Sequence, residues 1–121
     1  MGRESIVRAT LADIDAMKVD SFVARMSEDI VFQFGNAESV VGRSAVRAYV
    51  EHFFSTIKGL SHHVRNVWDV GNTTIVQMDV EYLRIDGRAV TAPAANILTY
   101  DGDLACDWRV YVDVTMLYAD Q

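Results

Sequence analysis

Two Asp-Gly pairs, Asp86-Gly87 and Asp101-Gly102, divide the C-terminal half of the chain into three alternating runs, Thr73–Ile85, Ala89–Tyr100 and Leu104–Met116. Asp-Gly between alternating runs is a strong hairpin signal, because both turn positions tolerate positive φ. Three antiparallel strands joined in this way form a meander. A fourth strand precedes it: from His62 the period is already two, and Val64, Val67 and Trp68 lead to a turn near Gly71-Asn72.

The first half has the period of helices. Ile6, Val7, Leu11, Ile14 and Met17 fall on one stripe. A short second helix is expected over Ser21–Met26, with Asp20 as its N-cap. Ile30–Phe34 reads as a strand. Val46, Tyr49, Val50, Phe53, Phe54 and Ile57 then follow the i, i+3, i+4, i+7 rule. That helix starts after Gly42, with Ser44 near its N-cap, and ends at Gly59. Helices first and a meander after predict a single α+β domain, with the helices packed on one face of a curved sheet.

Composition narrows the function classes. The chain has 121 residues, enough for one hydrophobic core, and 50% of them are apolar. Its net charge of −6, with Lys and Arg scattered, argues against nucleic acid and against an anionic membrane surface. One cysteine, Cys106, allows neither an internal disulfide nor a zinc-finger framework. No apolar run has the length of a membrane span, and no signal-peptide segment is evident at the N-terminus, so a cytoplasmic location is expected.

Asp79 lies in the middle of the first meander strand, between Met78 and Val80. Val76, Met78, Val80 and Tyr82 form one face; Ile75, Gln77, Asp79, Glu81 and Leu83 form the other. By pattern alone the apolar face goes inward and Asp79 meets water. The opposite reading makes Asp79 an acid/base group in a pocket, with the apolar face covered by another subunit.

Several features resemble the SnoaL-like branch of the NTF2-like superfamily. They are Asp29-Ile30-Val31-Phe32 before the Gly42-Arg43 helix start, the stretch Val67-Trp68-Asp69-Val70-Gly71-Asn72-Thr73, the Asp86-Gly87-Arg88 turn, and Trp108-Arg109-Val110-Tyr111-Val112-Asp113. The resemblance implies a cone: a strongly curved antiparallel or mixed sheet around helices, with a deep apolar pocket at the wide end. The family includes ketosteroid isomerases, polyketide cyclases, limonene-epoxide hydrolases, dehydratases and binding modules, so fold leaves chemistry open. In the frame of the epoxide hydrolases, the first Asp of their Asp-Arg-Asp set falls on Asp79. Their Arg falls on Gln77, their second Asp on Val110, and their water-holding Tyr and Asn on Phe32 and Phe34. Epoxide hydrolysis by that mechanism is therefore rejected. The same frame points Gln77, Asp79 and Glu81 into the pocket.

Cross-strand geometry supplies partners. A hairpin centred near Gly71 places His63 opposite Asp79 or Val80, and opposed side chains are roughly 5 Å apart. His63 is then a candidate acid/base partner of Asp79, against the alternative of a surface histidine at a strand start. A one-residue slip puts His62 in its place. Across Asp86-Gly87, Asp79 meets Ala94 and Gln77 meets Asn96. Ala94 leaves room for a ligand. Asn96 either donates to a developing oxyanion or pairs with Gln77. Trp108 and Val110 share the better candidate pocket face of the last strand, where Trp108 offers a flat wall and an N–H donor or simply packs the core. Phe32 and Phe34 share a parity and either pack the core or line the cavity mouth. Adjacent histidines on a strand point to opposite faces, so no metal set is expected.

The expectation is a cofactor-free acid/base enzyme of isomerase, cyclase or dehydratase type, acting on a small apolar molecule as a homodimer. A carboxylate in an apolar pocket has its pKa raised, which suits proton transfer near neutral pH. A non-catalytic binding or dimerisation module is the alternative.

Overall fold

The computed structural model describes residues 2–120. Helix α1 (Glu4–Asp15) and the short α2 (Val19–Val23) come first, followed by β1 (Met26–Phe34) and β2 (Val40–Val41). Helix α3 (Arg43–Ser55) leads into β3 (Ile57–Val70), β4 (Thr73–Arg84), β5 (Ala89–Asp101) and β6 (Leu104–Val112), and α4 (Thr115–Tyr118) closes the described chain. The six strands form one sheet in the order β2-β1-β6-β5-β4-β3. Only the β1–β6 pair is parallel; the others are antiparallel. Among the described residues no helix is long and apolar enough to cross a membrane.

The apolar face of β4 goes inward. Val76, Met78, Val80 and Tyr82 are buried, as are Ala94, Leu98 and Trp108 on the neighbouring strands. Val7 and Leu11 of α1, Phe22 of α2, and Val46 and Val50 of α3 cover this face. Burying each such large side chain stabilises the fold by about 1.5–3 kcal/mol.

Four boundaries differ from the sequence expectation. The second helix is Val19–Val23, earlier than Ser21–Met26. Strand β1 begins at Met26, whose side chain is fully buried and whose backbone pairs with Ala105 of β6. Helix α3 stops at Ser55, because the Thr56 hydroxyl donates to the Phe53 carbonyl at 2.7 Å and occupies the helix end. Ile57 is nonetheless buried, as the first residue of β3 rather than the last of a helical stripe. The final strand ends at Val112, not Met116. The Asp113 carboxylate accepts the Thr115 N–H at 2.9 Å and the Thr115 hydroxyl at 2.6 Å, a local turn that withdraws the chain from the ladder and starts α4.

Two irregularities position the site. The β3–β4 turn lies at Gly71-Asn72 as expected, with Val70 opposite Thr73. Pairing then shifts between Val64 and Asn66, leaving Arg65 as the extra residue of a bulge. Beyond it, His63 lies opposite Asp79 and His62 opposite Val80. The β4–β5 connection is a three-residue loop, Ile85-Asp86-Gly87: Arg84 N–H donates to the Arg88 carbonyl at 2.7 Å, and Gly87 has φ +90°. A two-residue Asp-Gly turn had implied Asp79 opposite Ala94 and Gln77 opposite Asn96. The extra loop residue moves each partner by one, so Asp79 meets Pro93, Gln77 meets Ala95 and Met78 meets Ala94.

Candidate active site

The concave face of the sheet and helices α1–α3 enclose an apolar cavity. Helix α3 contributes Tyr49, Val50, Phe53 and Phe54, and β1 contributes Phe32 and Phe34. Strand β3 supplies Leu60, and the meander supplies Met78, Val80, Tyr82, Ala94 and Val110. Aromatic rings meet edge to face around it: Phe32 with Tyr49 at 6.1 Å, Phe32 with Trp108 at 5.8 Å, and Phe53 with Tyr82 at 6.3 Å between centroids. The cavity volume is about 50 Å³. A ligand that enters without displacing side chains is therefore small.

One ionisable pair borders this cavity. His62 lines it. Its Nδ1 is 2.5 Å from Asp15 Oδ1. The His62 backbone N–H also donates to the same carboxylate, at 3.0 Å to Oδ2. The His62 side chain is 9% exposed and that of Asp15 is 28% exposed, so the pair is largely shielded from solvent screening. Asp15 is the last residue of α1, where the helix dipole disfavours a carboxylate. Its two contacts with His62 offset that cost. With Nδ1–H donated to Asp15, Nε2 is the imidazole's remaining acceptor, and it makes no hydrogen bond among the described residues.

Four other residues of the lining carry polar groups. Asn96 and Trp108 are each 2% exposed. Asn96 Oδ1 and Trp108 Nε1 have no hydrogen-bond partner among the described residues. Tyr49 and Tyr82 also line the cavity, and burial pushes both phenols above their ordinary pKa, so both keep their protons at neutral pH.

The site expected from sequence divides between the two faces of the sheet. Phe32, Phe34, Ala94, Asn96, Trp108 and Val110 line the cavity. Asp79, His63, Gln77 and Glu81 do not. This corrects the placement of Asp79 as a pocket base. Its carboxylate lies on the convex face and accepts from Arg65 Nε at 2.7 Å. The Gln77 carbonyl oxygen accepts from Asn66 Nδ2 at 2.9 Å on the same face, so Gln77 does not pair with Asn96. Glu81 is exposed opposite Ser61. His63 is opposite Asp79 in register, but both are outside the cavity and Asp79 is engaged by Arg65. The physical reason is simple: three helices cover the even-numbered face of β4, so period two sends the odd-numbered residues outward.

Sequence reasoning missed Asp15 and kept His62 only as the product of a slip. A signal for Asp15 existed. It is four residues after Leu11, which is four after Val7, and both of those are buried. Among the described residues no group of three or more His, Cys, Asp or Glu could hold a metal ion. Burial raises the Cys106 thiol pKa, and Sγ faces the Thr99 carbonyl at 3.5 Å, consistent with an unreactive packing role.

A bent sheet wrapped on helices around an aromatic cavity defines an α+β cone of the NTF2-like type. Residues 7–108 match the SnoaL-like domain family, and the chain belongs to that family. No curated protein matches it. Among solved structures it is similar to an NTF2-like protein of unknown function from Burkholderia pseudomallei, with TM-score 0.88 and 14% identity over 98% of this chain and 100% of that one. It is also similar to a putative SnoaL-like polyketide cyclase from Jannaschia sp. CCS1, with TM-score 0.76 and 16% identity over 93% of this chain and 89% of that one. An LEH-like epoxide hydrolase from M. tuberculosis has TM-score 0.79 and 15% identity over 94% of this chain and 84% of its own. At these identities the likeness is one of fold.

Proposed function

We propose that the chain is an acid/base enzyme acting on a small, largely apolar molecule, with His62 as the proton-transferring group and Asp15 as its positioning partner. The observation that carries this reading is the Asp15–His62 pair at the wall of an otherwise apolar cavity. Asp15 selects the tautomer in which Nε2 accepts a proton, and its negative charge stabilises the imidazolium that results. Nε2 takes a proton from the bound molecule and returns it to another position, or to a leaving hydroxyl. Isomerisation, cyclisation and dehydration all use such a transfer.

A simple carbon acid tests the base. The α-hydrogens of 2-tetralone exchange for deuterium when a base removes and returns a proton, and NMR follows the exchange. Catalysed exchange should vanish in His62→Gln, fall in Asp15→Asn and persist in Asp79→Asn. Exchange that survives intact in His62→Gln removes the assignment.

A second reading concerns the convex face. Trp68, Ile75, Pro93, Ala95, Ile97 and Tyr111 share it by register, and Trp68 and Tyr111 are 47% and 55% exposed. A second copy docked there would account for this apolar surface, with or without catalysis in the cavity. Sedimentation of Tyr111→Lys against the unaltered chain tests it; a monomer in both cases removes the dimer.

A further inference from the structure

Helix α4 is too short to hold itself together. It has four residues, Thr115–Tyr118, and isolated helices shorter than about 12–15 residues are marginal in water. Of these four only Leu117 is buried; Met116 and Tyr118 are 64% and 43% exposed. The position of α4 is therefore set by contacts with the rest of the fold, and those contacts lead to the cavity.

Arg84 follows Tyr82 by two positions on β4, so both project from the concave face. Tyr82 lines the cavity. Arg84, one step beyond it, donates to the Met116 and Ala119 carbonyls at 2.9 and 2.5 Å. At the end of α3, the Tyr118 hydroxyl is 3.0 Å from the Thr56 hydroxyl. Thr56 in turn donates to the carbonyl of Phe53, another cavity residue. Burial, and after it the nearby Tyr118 phenol, raises the pKa of Tyr49 and of Tyr82. Leu117, between the two anchors in sequence, belongs to the core. Helix α4 thus runs across the end of the cavity, from the last residue of β4 to the end of α3.

The anchors are suited to release. Taking a guanidinium out of water is costly unless its N–H groups are paired. Arg84 is buried, and its Nε has no partner among the described residues. Opening α4 forfeits two hydrogen bonds but returns this charge to water, so the two states lie close in free energy. On the side of Asn36 a groove of about 440 Å³ lies against Val114, Thr115 and Tyr118, so α4 is not packed there.

We propose that α4 is the lid of the cavity, with Arg84 as its latch, Leu117 as its plug and the Tyr118–Thr56 contact as its far fastening. It swings at residues 113–115, where the strand has already ended. The closed cavity of about 50 Å³ admits only a small molecule; opening the lid exposes Tyr49, Phe53 and Tyr82 and lets larger molecules enter and leave. The lid serves the cavity whatever reaction occurs inside it.

The test reads access to the cavity directly. Trp68→Phe removes the exposed indole and leaves Trp108, on the cavity wall, as the single tryptophan. In that background, acrylamide quenching of Trp108 should rise roughly 2- to 10-fold in Tyr118→Phe, the effect of one hydrogen bond. It should rise by more than about tenfold in Leu117→Ala and stay unchanged in Met116→Ala, whose side chain is on the outer side of the lid. In the unaltered chain, the Leu117 amide, which donates to the Val114 carbonyl at 3.0 Å, should exchange with solvent by local opening at a rate insensitive to low urea. The Met78 and Val80 amides should exchange only with global unfolding. Quenching that is unchanged in the folded variants overturns the lid, as does an equal rise in Met116→Ala. Leu117 exchange that depends on urea as steeply as that of Met78 also overturns it. If Leu117→Ala does not fold, Tyr118→Phe and the exchange of the unaltered chain decide. Neither measurement uses turnover, so the lid fails or stands apart from the acid/base reading.

Discussion

Asp15 Oδ1 and His62 Nδ1 are 2.5 Å apart although 47 positions separate them in sequence. Asp15 ends a helix and His62 faces the cavity from a strand. The contact joins the helical layer to the sheet at the point where the cavity carries its one ionisable pair among the described residues.

This pair sets the first prediction. Asp15→Asn should lower turnover of the natural reaction by about 10²- to 10⁴-fold, because the asparagine neither fixes the tautomer nor balances the imidazolium. The ¹⁵N shifts of the His62 ring should report the Nδ1–H tautomer in the unaltered chain and a mixture in Asp15→Asn. Matching ring spectra in the two proteins would remove the positioning role.

Asp79→Asn should leave activity unchanged. The carboxylate's partner is Arg65, whose side chain is 62% exposed, and pairs of this kind contribute at most about 1 kcal/mol. Urea denaturation should show a midpoint close to that of the unaltered chain.

Arg84→Gln should destabilise the fold more than any exposed Arg substitution. The Arg84 side chain is 2% exposed, and it donates to the Met116 and Ala119 carbonyls at 2.9 and 2.5 Å and to Asp86 at 2.9 Å. It thereby fastens α4 to β4. Each such hydrogen bond to a charged group contributes about 1.5–3 kcal/mol. Cleavage near residue 116 should accelerate under limited proteolysis before the rest of the chain opens.

Asp69 predicts a pH effect. The Thr74 hydroxyl donates to its Oδ1 at 2.7 Å and the Arg3 backbone N–H to its Oδ2 at 3.1 Å, which hold the carboxyl below its ordinary pKa. A group whose folded pKa is lowered stabilises the fold above the unfolded value of about 3.9. That contribution disappears as pH falls through the lowered folded value. Asp69→Asn should lose it at neutral pH and show a flatter acid limb when thermal midpoints are followed from pH 7 to pH 3.

Residue by residue, the sequence was informative where one periodicity governed. The alternation of β4 separated Val76, Met78, Val80 and Tyr82 from Gln77, Asp79 and Glu81, and the structure keeps that separation. Trp108, Phe32 and Phe34 were placed on the cavity side by parity, whereas Asn96, expected opposite Gln77, reaches that side because the longer loop sets it opposite Val76. Parity alone does not say which face is covered. The family frame pointed Asp79 inward, whereas the helices cover the opposite face.

Local chemistry in this chain therefore determined the meander, the helices and the sets of residues that share a face, because each follows from a period or a turn residue a few positions away. Only the tertiary structure decided the Asp-Gly pairings and the choice of histidine. Opposite the Asp86-Gly87 signal the loop took three residues and moved Asp79 from Ala94 to Pro93. The bulge at Arg65 put His62 opposite Val80 on the cavity face, where an unbroken ladder from the Gly71-Asn72 turn would have put His63. A one-residue shift exchanges the two faces of a strand, and in the observed register His62 points inward and meets Asp15 at the end of α1.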